Sequence, residues 1–576
     1  MRTRILLILC IVGTIAFGQS LSHKAVNIVV KNEQGIPETK AFKANANGSY
    51  TLTGAANVIT PGLSADIKFA DIDGDGNLDV IFNGGSNAEL GKGIAINDGT
   101  GVFTRSTLDV TNATISCGFA DFDNNGFLEY YVIGNGTDNV GTIFFQNADG
   151  TFTKDQSSFS GLSLLDADVT VVDFNNDGFI DIFISGWDNA SNNRFSAIYI
   201  NNGQGKFTAL AQPNLIQKGY GSSVWGDVDG DGWLDLLLNG DGGANGEASS
   251  DIYRLYKNNK GVLEPKATFN DFRQISVGDG ARMVDWDNDG KLDIILTGWS
   301  ATKNRQATVL YTCTDKTNFL FTEDALSNTD FPGVSESSIE TADLNNDGRI
   351  DLLITGFNGN QTDQVGKYNR NICGYYLNQS ATINAKPATV TNLAHVVTPT
   401  TVTLSWNPAS DDKTVQASLT YNVSLKNKTT GKYLYNPMAV TSGTTNGWRK
   451  IPALGNVFTN RKWVLNNLPA GSYEWTVQAI DANFMGGAFA IAKTFTVSAT
   501  DVKEIISGVT IRSGNKHIFI DNKTATPMDI LIYSITGSLI NTLPAVENAS
   551  VTLSPGIYIV KASNGEQSMV EKVVVK

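Results

Sequence analysis

The sequence predicts an all-β chain: a β-propeller of six blades, with seven the alternative, followed by a β-sandwich and a smaller C-terminal one. Three observations carry this. Six acidic, glycine-bearing nonapeptides recur at intervals of 50 to 58 residues. Each is followed by short apolar runs that stop at glycine, the pattern of buried strands. Glycine makes up 57 of 576 residues while charged residues reach only 17%, a texture of turns and strands with little surface helix.

Residues 1–18, MRTRILLILCIVGTIAFG, read as an export signal. Arg2 and Arg4 form a basic start, Ile5 to Phe17 an apolar core, and Ala16-Phe17-Gly18 a small-x-small cleavage site. A membrane anchor would need about 20 apolar residues, and Gln19-Ser20 ends this run. No later stretch is expected to span a bilayer.

From 19 to 382 the repeats dominate. Each nonapeptide has the form D-x-[DN]-x-[DN]-G-x-x-[DE], with oxygen side chains at positions 1, 3, 5 and 9 and a backbone carbonyl at position 7. The first loop offers Asp71, Asp73, Asp75, Asn77 and Asp79; the second Asp121, Asp123, Asn125, Phe127 and Glu129. The third offers Asp173, Asn175, Asp177, Phe179 and Asp181; the fourth Asp227, Asp229, Asp231, Trp233 and Asp235. The fifth offers Asp285, Asp287, Asp289, Lys291 and Asp293; the sixth Asp343, Asn345, Asp347, Arg349 and Asp351. A hard cation such as Ca²⁺ takes roughly six to eight oxygens, which alternate residues of a tight loop supply. Glycine at position 6 permits the turn. Position 12, acidic in a helix-loop-helix calcium site, is apolar in all six (Phe82, Val132, Ile184, Leu238, Leu296, Ile354), so the loop is expected inside a β-hairpin. The second loop departs most, at Asn125 and Glu129.

A third strand and a Gly-x-Phe-Thr segment (Gly101, Gly150, Gly205) complete each repeat, giving four short strands in ~50 residues, the blade of a propeller. In these motifs the chain resembles the FG-GAP/VCBS calcium-binding propellers, related to the integrin α-chain head. The resemblance implies calcium, about one ion per loop. The sixth repeat lacks its outer strand, and the N-terminal strand is expected to supply it; residues 23 to 42 entering a seventh, loopless blade is the other possibility.

Residues 387–498 differ in texture. Trp406 on an alternating strand, and Leu468 five residues before Tyr473, resemble the tyrosine corner of a fibronectin type III sandwich, here expected to be a spacer. Residues 501–576 resemble the C-terminal sorting domain of the Por (type IX) secretion system of Bacteroidetes, in Tyr533 to Gly537, Gly556-Ile-Tyr558 and the terminal Glu571-KVVVK. That resemblance implies the type IX machinery as partner and a secreted or outer-surface location on a Gram-negative, Bacteroidetes-like bacterium.

Function follows by exclusion. A net charge of −14 disfavours nucleic acid, and three histidines (His23, His395, His517) cannot build a multi-histidine metal site. No nucleophile elbow or H-E-x-x-H motif is present. The expectation is a binding or adhesion module for glycan or protein, not an enzyme; a polysaccharide lyase or glycosidase on the propeller, or a purely structural surface protein, are the alternatives. Trp187, Trp299 and Phe357 share one repeat position, after the glycine ending the second strand, and are candidate sugar-stacking residues, with inter-blade packing the alternative. Calcium is expected to stabilise the propeller alone, because residues 387–576 carry no such loop.

Overall fold

The computed structural model describes residues 25–31, 37–44, 50–55, 66–77, 79–83, 92–98, 103–105, 114–135, 141–159, 161–219, 221–242, 250–269, 272–273, 280–300, 302–324, 331–344, 347–357, 371–498, 508–524, 526–534, 538–564 and 568–576. The export segment and Asn345 lie outside them, as does the side chain of Phe357. Among the described residues the secondary structure is strand, apart from one 3-10 turn at Gln416–Ser418. Two compact units divide the chain, Met1–Val497 and Ser498–Lys576.

Six loop-bearing antiparallel sheets follow one another in the first unit. The third is typical: Leu164–Val172, Asp181–Asp188, Asn193–Asn201 and Phe207–Leu210, paired in sequence order. Its second strand is buried from Asp181 to Gly186 because sheets lie on both of its faces, which explains the unbroken apolar run Ile182-Phe183-Ile184. Innermost strands of consecutive sheets abut in series: Asp66–Ala70 on Thr114–Ala120, then Leu164–Val172, Ser223–Gly226, Ala281–Val284 and Ser335–Ala342.

The expected closure of the sixth sheet is not observed. Among the described residues that sheet has three strands, Ser335–Ala342, Asp351–Phe357 and Asn371–Tyr376. The N-terminal strands Ala25–Lys31, Pro37–Ala44 and Tyr50–Ala55 pair with one another instead, as a separate sheet without a loop. Adjacent hairpins pair at small loop-closure cost, whereas joining the last repeat would close a loop of over three hundred residues.

Residues 387–497 form two more sheets. One holds Ala394–Val397, Thr401–Ser405 and Lys462–Asn466; the other Tyr433–Tyr435, Thr420–Asn427, Gly471–Ile480 and Lys493–Val497. Trp463, Trp475, Tyr421 and Tyr473 are fully buried between them, and the Tyr473 hydroxyl donates to the Pro469 carbonyl at 2.6 Å. This sandwich is not held off as a spacer. Its core runs without a break into that of the second, third and fourth sheets, and Ala482 and Phe484 pack against the cores further round.

The second unit is a smaller pair of sheets. Val509–Gly514, His517–Asn522 and Asn548–Thr552 face Leu539–Val546, Met528–Ser534, Gly556–Ser563 and Ser568–Val575. Alternating residues Ile518, Ile520, Ile530 and Ile532 fill the space between, as period-2 patterning requires.

Candidate metal centre

Each nonapeptide joins the first strand of its sheet to the second, and one hydrogen-bond scheme recurs. The position-2 amide donates to the position-9 carboxylate: Ile72 to Asp79 (2.7 Å), Phe122 to Glu129 (2.6 Å), Phe174 to Asp181 (3.0 Å), Val228 to Asp235 (2.9 Å), Trp286 to Asp293 (3.0 Å) and Leu344 to Asp351 (2.8 Å). The other oxygen of each aspartate at position 9 accepts at 2.8 Å a backbone amide of the third strand, from Asn97, Asn201, Asn258 or Cys313, or just beyond it, from Asn378. Position 9 therefore welds the loop to its sheet besides offering oxygen to an ion. The position-6 glycine amide donates to Oδ2 of the position-1 aspartate at 2.7 to 2.9 Å in all six loops. These glycines have φ between 80 and 97°, which a Cβ would resist.

Burial sets the electrostatics. It pushes Asp181, Asp235 and Asp293 up to about 8 and Asp79 and Asp121 up to about 7. Asp173, Asp227 and Asp285 are raised by burial to about 6. Neighbouring loop carboxylates add to these shifts by repulsion. Acids so placed resist ionising until positive charge is supplied.

The loops differ in where that charge comes from. In the fourth, Lys257 from the third strand bonds Asp229 and Asp231 at once. In the fifth Lys291 bonds Asp289, and in the sixth Arg349 lies 3.1 Å from Asp347. In the third loop only a neutral amide is offered, Asn175 to Asp177 at 2.8 Å, as Asn77 to Asp75 and Asn125 to Asp123 in the first two. The first three loops hold no such ion pair among the described residues, although Lys432 and Lys450 reach the Asp73 and Gly76 carbonyls of the first at 2.8 and 3.2 Å. In the first two, Asp71, Asp73 and Asp79, and Asp121, Asp123 and Glu129, each bring oxygens within 4.8 Å of one another, as Asp227, Asp229, Asp235 and Asp285, Asp287, Asp289 also do. Asp71 Oδ1 and Glu129 Oε1 are buried without a hydrogen-bond partner, on residues 6% and 0% exposed. A buried carboxylate oxygen left without a donor is a strong preference for a cation. The donor set is all oxygen, which suits a hard ion such as Ca²⁺.

Residues far along the sequence complete these loops. Asn436 Nδ2 donates to Asp71 Oδ2 (2.6 Å), the Tyr435 hydroxyl to Asp121 Oδ2 (2.5 Å), Asn460 Nδ2 to Asp173 Oδ2 (2.7 Å) and Ser418 Oγ to Asp227 Oδ2 (2.7 Å). Asn483 donates to the Asp285 carbonyl (2.7 Å) and accepts its amide (2.9 Å). Sequence reasoning missed these, because no local pattern marks Asn436, Tyr435, Asn460, Ser418 or Asn483 as the partner of a distant loop. It also missed an amide at the end of the third strand that reaches the preceding loop: Gln146 to the Ile72 carbonyl, Asn201 to Phe122, Asn258 to Phe174 and Asn378 to Trp286. That recurrence was visible in the repeats.

Trp187 and Trp299 sit half-buried near the ends of second strands, away from the strand starts where the loops are. The loops and the aromatics are thus at opposite ends of the sheets.

The FG-GAP-like repeat family matches residues 121–184, 173–238, 227–296 and 285–354, stretches that begin at the second to fifth loops and run through the sixth. The first loop, outside those stretches, shares the position-2 to position-9 and position-6 to position-1 bonds of the rest, but its Asp75 amide donates to Asp73 and leaves Asp71 Oδ1 without a donor. No curated protein matches the chain. Residues 514–576 match the secretion system C-terminal sorting domain. The chain thus carries FG-GAP-like repeats and a type IX sorting domain that directs it to the cell surface or the extracellular space of a Bacteroidetes-type bacterium.

Proposed function

We propose that the protein is a calcium-binding β-propeller that acts at the cell surface as a binding or adhesion module for glycan or protein. The observation that carries the calcium reading is the pair of donor-less buried oxygens, Asp71 Oδ1 and Glu129 Oε1, each inside an acidic triad. Asp71, Asp73 and Asp79, and Asp121, Asp123 and Glu129, would hold the first ions. Calcium there supplies positive charge and draws the loop oxygens together; catalysis is not part of the reading. The three-plus-four sheets and the Tyr473–Pro469 bond favour a fibronectin type III-like identity for residues 387–497.

Because the sandwich occupies the loop ends, ligand contact falls to the opposite ends, where Trp187 and Trp299 stand. Calorimetric titration of the full chain tests the metal, with two sites at least expected and none overturning the reading. A glycan array with and without Trp187→Ala and Trp299→Ala tests the ligand class. Release of reducing ends or unsaturated sugars from polysaccharide would favour the enzymatic alternative.

A further inference from the structure

We infer that residues 387–497 form the outer shell of the loop cations, so that cation loading and docking of this sandwich on the loop ends are one linked equilibrium. The inference rests on the calcium reading above. Its own ground is a repeated contact: four position-1 aspartates, Asp71, Asp121, Asp173 and Asp227, each receive a side-chain donor from the sandwich on Oδ2, the oxygen that also takes the glycine amide. With Oδ2 doubly engaged, the carboxylate is fixed in rotation. In the first loop this leaves Oδ1 as the oxygen without a donor.

The chemistry of the donors decides the sign of the coupling. Tyr435, Asn436, Asn460 and Ser418 are neutral, so they satisfy a lone pair but bring no charge; at the first loop the sandwich also brings two ammonium groups, Lys432 on the Asp73 carbonyl (2.8 Å) and Lys450 on the Gly76 carbonyl (3.2 Å). At the second and third loops docking therefore takes water from clustered carboxylates without neutralising them, which is unfavourable until a cation arrives. A divalent ion removes that penalty and favours the docked form. Docking in turn orients the ligand oxygens and lowers the local dielectric, which favours the ion. Such second-shell donors typically change metal affinity at least about tenfold, and linkage requires the same factor in both directions. Backbone contacts close the seam: Tyr433 N to Gly74 O at 2.8 Å and Asn466 N to Asn124 O at 2.6 Å bind the turns themselves.

The test is hydrogen–deuterium exchange on the full chain in millimolar calcium and in EGTA, with calcium calorimetry in parallel. The expected result is slower exchange on calcium in Gly471–Ile480 and Lys462–Asn466, together with the loop-bearing strands, and no change in Ser568–Val575. The double variant Asn436→Ala/Asn460→Ala is expected to bind the same number of ions about tenfold more weakly. Calcium that binds and slows exchange in the loop-bearing strands while leaving residues 387–497 unchanged overturns the linkage and leaves the calcium reading intact. No bound calcium in the parent chain overturns both. If the double variant does not fold, the parent's exchange pattern alone decides.

Discussion

At the scale of single residues, position 6 of the loops separates backbone strain from docking. A Cβ at Gly178 would meet nothing within 4 Å, so Gly178→Ala should cost only the strain of φ 89°, about 1 kcal/mol. A Cβ at Gly290 would lie 2.7 Å from the Lys413 carbonyl, a backbone atom of the sandwich that cannot swing aside. Gly290→Ala should therefore lose more, about 2 to 3 kcal/mol, and loosen the sandwich as well. Urea melts of both variants check the difference; equal losses would mean that the sandwich does not press on the fifth loop. Lys257 offers a second residue-scale test. Its ammonium already sits on Asp229 and Asp231, where it competes with an ion. Replacing Lys257 by Met should raise calcium affinity at the fourth loop by about tenfold, since ligand charge tunes such sites. Calorimetry that shows no added or tightened site would contradict this.

Elements are joined by amides as well as by apolar packing. Asn201, 2% exposed, donates to the Phe122 carbonyl of the preceding loop and to Ile180, and accepts the Gly203 amide at 3.0 Å. Asn201→Ala would strand two carbonyls and an amide in the interior, at a cost of about 2 to 3 kcal/mol. Exposed Asn202, one residue on, bonds only the amides of its own turn, so Asn202→Ala is the control and should lose under about 1 kcal/mol. Thermal melts of the two variants give the comparison. The fifth sheet carries Cys313 where the others carry an amide, and its backbone still bonds Asp293 at 2.8 Å. Strand composition explains why the sheets form at all: second strands such as Asp293–Ser300 are buried almost throughout, and only sheets stacked on both faces accommodate them.

The whole molecule should unfold in two steps, with Met1–Val497 as one compact unit and Ser498–Lys576 as the other. Chelation should lower the first step and leave the second where it is. At millimolar calcium and a dissociation constant near 0.1 mM, one site contributes about 1.4 kcal/mol and two sites about 3 kcal/mol. The sequence alone suggests that residues 387–498 ignore chelator, because they contain no loop. Their shared core and their bonds to Asp71, Asp121, Asp173 and Asp227 reverse that expectation. Calorimetric scans with and without EGTA decide it: a third, chelator-insensitive transition from residues 387–497 would contradict the shared unit.

The six loops, their sheets and the sorting domain were legible in the sequence because each is a local pattern. Oxygen at alternate positions, glycine at the turn and apolar runs between glycines all act over fewer than ten residues, and the repeats show each pattern several times. Tertiary structure alone decided three other matters. It placed the N-terminal strands with one another, put Lys257 on carboxylates 26 and 28 residues away, and set Asn436 on Asp71 across 365 residues of chain. Periodicity encodes which face of a strand is buried, not which distant surface covers it. An asparagine that caps a loop carboxylate has the same local signature as one in a solvated turn, so only the folded packing tells them apart.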